Sequence, residues 1–209
     1  MRNIFFAALF ALSACTANAA LTSIEVISTT GGDVPAGHVA NDIIIGFEGQ
    51  LFGQQMIVDL SSGAINQDAF GSNLAPTDAL LVPFPALAYD TFVSMGGLTA
   101  DTSASTLFVG GSTELPGSTG TEKFDTEGID AAWAPSPGVV VSDQQGFLTA
   151  RVVLTDDANG AAFYFGNAGG QGVSFEGGKV ENGVLSFIPE PSTALLAGLA
   201  LVGFVARRK

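Results

Sequence analysis

The chain has 209 residues, with 20 acidic and 7 basic side chains, a net charge of −13, one His and one Cys. A field of that sign repels nucleic acid and anionic headgroups, so neither is expected as a partner. Zinc and iron centres need several His or Cys ligands, and this composition excludes them.

The N-terminus carries Arg2, an apolar run over residues 4–12 and then Ala17, Asn18 and Ala19. This order of charge, short apolar run and Ala-x-Ala site reads as a secretory signal peptide over residues 1–19, cut between Ala19 and Ala20. The run is roughly nine residues, against the ~20 that a membrane-spanning helix needs. Leu12, Ser13, Ala14 and Cys15 also fit a bacterial lipoprotein signal, with Cys15 as the lipidated residue. The intact Ala-x-Ala site favours ordinary cleavage, after which no cysteine remains to form a disulfide.

Residues 20–188 are long enough for one domain with a real core. With Glu190, Arg2, Arg207, Arg208 and Lys209 set aside, 19 acids face 3 bases there, a balance of −16. Apolar residues alternate at Ile43, Ile45 and Phe47, at Met56, Val58 and Leu60, and at Leu148, Ala150, Val152 and Leu154. A period of two marks half-buried strands. Residues 89–94, 161–165 and 184–187 add short β-branched or aromatic runs, while residues 110–121 read as a long surface loop. Residues 146–155 and 161–166 flank Asp156, Asp157, Ala158, Asn159 and Gly160, which predicts a hairpin with positive φ at Asn159 and Gly160. No long amphipathic helical stripe occurs. The expected fold is all-β, a single antiparallel β-sandwich of jelly-roll type.

No catalytic constellation emerges. His38, in a Gly-Asp-Val-Pro-Ala-Gly-His loop, has no indicated partner and reads as a turn residue rather than a catalytic base. Ser118 lacks a nucleophile elbow, because Pro116 stands where its first Gly should be. A calcium loop over residues 155–166 would put Thr155 and Gly166 at ligand positions, and neither is a suitable ligand. Asp156 and Asp157 are expected as turn residues, so no metal or cofactor is implied. Glycoside hydrolysis needs only two carboxylates, which many acidic domains offer by chance. Trp133 is expected to pack in the core or a loop, with a carbohydrate platform as the alternative. Arg151 is expected to pair with a carboxylate.

At the C-terminus Pro189, Glu190 and Pro191 precede an apolar run over residues 193–206, closed by Arg207, Arg208 and Lys209. As a helix the run would measure about 21 Å, short of the ~30 Å hydrocarbon core unless its basic end snorkels. The positive-inside rule keeps the basic cluster cytoplasmic and everything before Pro189 outside. This tail resembles the PEP-CTERM sorting signal of bacteria, with Pro189, Glu190 and Pro191 matching the motif and Arg207, Arg208 and Lys209 the basic cluster. The resemblance implies recognition and cleavage by an exosortase, transient anchoring through a short C-terminal transmembrane helix, and delivery to the cell surface. It also implies an association with extracellular polysaccharide.

A second resemblance lies in the domain. Residues 88–93 (Ala-Tyr-Asp-Thr-Phe-Val), Ala132 with Trp133, and Ala150 with Arg151 are similar to exported β-sandwich proteins that often bear such a tail. The expectation is an exported, non-enzymatic surface or matrix protein. The alternatives are a carbohydrate- or calcium-binding module and a polysaccharide-degrading enzyme that uses carboxylates.

Overall fold

A computed structural model describes residues 20–187. The signal segment, Cys15, Ala19 and the tail from Pro189 to Lys209 lie outside the described residues. Ten strands follow in chain order: β1 (Leu21–Thr29), β2 (His38–Ser62), β3 (Phe92–Gly96), β4 (Thr106–Gly110), β5 (Lys123–Asp125), β6 (Gly128–Pro135), β7 (Ser142–Thr155), β8 (Asn159–Ala168), β9 (Gln171–Glu181) and β10 (Val184–Ser186). The helical pieces are α1 (Asp78–Leu81) and a 3-10 turn (Pro85–Tyr89). The all-β expectation holds.

The 25-residue β2 organises the molecule because its two halves belong to different layers. Its first half lies between β1 and β7, with β3 beyond β7, forming layer 1. Its second half lies between β8 and β6, forming layer 2 with β9, β10, β4 and β5. The change of layer falls at a corner where Gly49 adopts φ 77°, a left-handed conformation open to glycine. The Gly49 N–H donates to Asp143 Oδ1 at 2.7 Å, and Gln50 O accepts from Gly169 N at 2.7 Å.

The alternation in β2 is realised on both sides of that corner. Ile43, Ile45 and Phe47 from the first half meet Met56 and Val58 from the second in one core, together with Trp133, Val152, Leu154 and Tyr164. In β7 the alternation is interrupted. Ile45 pairs with Phe147 and Ile44 with Leu148, but Ile43 pairs with Ala150, so Thr149 is the extra residue of a bulge. Phe147 therefore joins the core in place of Leu148, packing edge-on against Phe47 at 5.3 Å between ring centroids.

The expected hairpin is not formed. β7 pairs with β2 and β3, and β8 pairs with β2 and β9, so residues 156–158 arch from one layer to the other. Both edges of each strand are already taken, and Ala158 drops fully into the core. Neither Asn159 nor Gly160 has positive φ. Gly160 is required for close approach instead, because a Cβ there would stand 2.1 Å from Asp59 O. Residues 111–122 form the expected loop between β4 and β5.

Two buried polar groups join the layers. Asn41, on β2, donates through Nδ2 to Val152 O at 3.1 Å and to Gly183 O at 2.9 Å. Its Oδ1 accepts from Leu185 N at 3.0 Å and Ser28 Oγ at 2.7 Å, so one amide ties layer 1 to the turn before β10. Gln54 Oε1, in layer 2, accepts from Tyr164 Oη at 2.5 Å and from Thr149 of layer 1. Burial pushes the Tyr164 phenol well above its usual range, which keeps it a donor.

Candidate functional site

The residues weighed for chemistry in the sequence take separate structural roles. His38 begins β2 with Nδ1 3.1 Å from Ala36 O, and no hydrogen bond joins it to a serine or carboxylate among the described residues. Asp157 accepts from Thr155 Oγ1 at 2.6 Å, and the Asp156 N–H donates to Gly37 O at 2.8 Å, so both serve the arch. Among the described residues, no group of three or more His, Cys, Asp or Glu converges on one point. Trp133 is 1 % exposed and packs edge-to-face on Tyr164, with ring centroids 6.4 Å apart, so it is a core residue.

Arg151 is the centre of a built cluster on the outside of layer 1. Its Nε and Nη2 donate to the two oxygens of Asp42 at 2.6 and 2.7 Å, and its Nη1 donates to Ala88 O at 2.7 Å. The guanidinium lies 5.6 Å from the centre of the Tyr89 ring, a cation–π contact. Phe92 pairs with Arg151 and Val93 with Ala150, while Thr91 Oγ1 accepts from Val153 N at 3.0 Å. The Ala-Tyr-Asp-Thr-Phe-Val run and the Ala150-Arg151 pair are thus one structural device, which fastens the segment before β3 onto β7.

Asp90 continues this fastening. It is 2 % exposed, accepts from Asp68 N at 2.9 Å, and sits where a Cβ at Gly71 would be 1.7 Å from its Oδ2. Burial, reinforced by the neighbouring Asp68 charge, raises its pKa to about 6 against backbone hydrogen bonds that lower it. Asn66 Nδ2 donates to Tyr89 O at 2.6 Å and Gln67 Nε2 to Thr91 O at 3.2 Å, completing the seam. Nothing in the sequence distinguished Asp90 from the exposed acids.

The outside of layer 2 has no comparable cover. A cavity of about 630 Å³ opens there, with Gly53, Ala132, Ala134 and Gly172 among its lining residues. Phe165 and Phe52 also line it, and Phe52 is 51 % exposed. The loop after β4 forms one wall: Gln55 Oε1 accepts from Thr113 N at 2.8 Å and Glu114 N at 2.9 Å. The sequence signal for this trough was available in the second phase of the alternation. Phe163 and Phe165 sit at outward positions of β8 where polar residues are the norm.

A family model describing the PEP-CTERM protein-sorting motif matches residues 187–209. The chain carries a PEP-CTERM sorting motif. It is an exported protein whose C-terminal signal directs it to exosortase processing. Comparison with curated proteins and with solved structures gave no match. The PEP-CTERM match begins at Phe187, whose ring lies 6.0 Å from Tyr164 and packs against the core. One residue, Ile188, therefore separates the packed domain from Pro189 of the PEP-CTERM motif. At the other end the Ala20 carbonyl accepts from Glu48 N at 3.0 Å, so the fold begins directly after the expected signal cut. No helix among the described residues is long and apolar enough to cross a membrane.

Proposed function

We propose that this protein is a non-enzymatic component of the cell surface or extracellular matrix. Its all-β domain is delivered by the exosortase pathway and held in association with extracellular polysaccharide. The observation that carries the reading is the PEP-CTERM motif directly abutting a folded, acidic domain. The roles of the carboxylates agree with it. Asp42 pairs with Arg151, Asp90 holds the segment before β3, Asp143 caps the corner of β2, and Asp130 accepts from Ser112 N at 2.6 Å. A carboxylate committed to backbone or ion-pair contacts is poorly placed to shuttle protons.

In this reading the tail anchors the chain in the membrane through residues 193–206 until the exosortase cuts near Pro189, Glu190 and Pro191. Intact mass of the protein recovered from the cell surface and medium tests it. Termini at Ala20 and near Pro189 are expected. A mass that retains Arg207, Arg208 and Lys209 would refute processing, and a lipidated Cys15 would move the anchor to the N-terminus. Turnover of a polysaccharide by the purified protein would overturn the non-enzymatic assignment.

A further inference from the structure

We propose that the trough on the outside of layer 2 is a binding site for a neutral glycan chain. Its location relies on the surface-protein reading for where the ligand is met, but its chemistry stands on the trough alone. The small residues Gly53 of β2, Ala132 and Ala134 of β6 and Gly172 of β9 leave a recessed floor. The Phe165 ring lies across Gly172, where an added Cβ would stand 2.7 Å from it. Phe52 supplies a second, exposed aromatic. The volume of about 630 Å³ is in the range of small-ligand sites, ~300–1,000 Å³.

The polar groups are few and fixed. Gln55 holds the Thr113–Glu114 wall in place, so little ordering is required on binding. The Glu114 carboxylate makes no hydrogen bond or ion pair to another described residue, and it accepts but does not donate. Asn167 lines the same trough, and its buried Oδ1 has no partner among the described residues. Such an orphan acceptor is costly until a donor reaches it.

Sugar hydroxyls are donors distributed around a ring whose C–H faces are apolar, which suits acceptors placed around aromatic faces. An anionic polymer is disfavoured by Glu114 and by the −16 balance of the domain. An extended peptide is disfavoured for another reason. Here β2 is flanked on both sides by β8 and β6, so the floor offers no free strand edge to a peptide backbone.

The test is migration of the purified protein in native gels containing mixed-linkage β-glucan, xyloglucan or dextran, with alginate as the anionic control. The fluorescence of Trp133, the single tryptophan, reports binding in solution. Retardation by at least one neutral glycan and none by alginate is expected. Phe165→Ala should weaken binding about tenfold, and Glu114→Gln and Phe52→Ala about threefold each, the last two with unchanged melting temperature. No retardation by any of the three glycans, equal retardation of all variants, or retention of an apolar peptide in their place would overturn the proposal. A surface-located, correctly processed protein that ignores glycans would remove this site and leave the delivery reading intact.

Discussion

The two outer faces of the sandwich differ in how they are finished. Layer 1 is closed by residues 64–91, sewn down through Asn66, Gln67, Asp90 and Arg151, and its outer cluster of Val34, Ala40 and Val153 is sealed by Tyr89. Layer 2 leaves Phe52, Leu107 and Val109 at 51, 45 and 64 % exposure around a floor of Gly and Ala. A face that only had to meet water would carry polar residues at the outward positions of its strands. Exposed apolar side chains occur on both sides, with Phe70 and Val82 on the cover of layer 1, so the difference is that layer 1 is closed by a fastened segment while the floor of layer 2 is left open.

Substitutions can break this contrast or sharpen it. The largest effect is expected at the joint that both faces depend on. Asn41→Ala leaves Gly183 O, Leu185 N and Ser28 Oγ without their partner. At about 1–3 kcal/mol for each of the two buried backbone groups, with the exposed Ser28 hydroxyl free to turn to water, the loss should be about 4 kcal/mol in urea unfolding. A loss below about 1 kcal/mol would show that the joint is not where the layers are held.

The second effect concerns the cover of layer 1 and depends on pH. The Asp90 carboxyl has its pKa raised from 3.8 to about 6, so the folded state holds its proton more tightly than the unfolded chain. The associated stabilisation is complete below about pH 4 and is lost as pH rises through about 6, by up to about 3 kcal/mol. Asp90→Asn should flatten the stability profile between pH 4 and 6. An unchanged profile would place the titration elsewhere.

Asp42→Ala follows in size. It strips the bidentate partner from Arg151 but leaves the Ala88 and Tyr89 contacts, at side-chain exposures of 12 % for Arg151 and 21 % for Asp42. Breaking a fully buried pair costs about 3–5 kcal/mol, and partial access to water should reduce this to about 2 kcal/mol. Proteolysis within residues 64–91 should accelerate with it, while the trough of layer 2 stays intact. The smallest effect is expected at Val82, 85 % exposed on the same cover segment, where Val82→Ser should change stability by less than about 0.5 kcal/mol.

Both halves of β2 were readable because Ile43, Ile45 and Phe47 alternate in the first and Met56 and Val58 in the second, and the tail because its motif, apolar run and basic cluster occur in order. The pairing of those strands was not readable. Asn159 and Gly160 carry the composition of a hairpin turn, but composition does not reveal that the edges of β7 and β8 are already occupied. The bulge at Thr149 was equally hidden, since Leu148 suits the core as well as Phe147 does. Trp133 and Arg151 behaved as their residue types suggest. Asn41, Gln54 and Asp90 look like surface residues in the sequence, and their burial follows only from partners 13 to 144 positions away. The trough draws its lining from several strands and a loop, so the outward Phe165 of β8 was a local trace of it while the rest follows only from strand pairing.

The position of β2 in the chain has a consequence for export. A chain threaded outward from its N-terminus releases residues 38–62 before any of β6, β7 or β8, the strands that flank both halves of β2. Until residue 128 has emerged, the longest strand can pair only with β1, and only along its first half; β6, β7 and then β8 complete its pairing in that order. Loop closures of this span are slow and expose unpaired edges in the meantime. The edges of residues 51–62 therefore stay unpaired until β6 and β8 follow, and the second layer closes only as the end of the domain emerges.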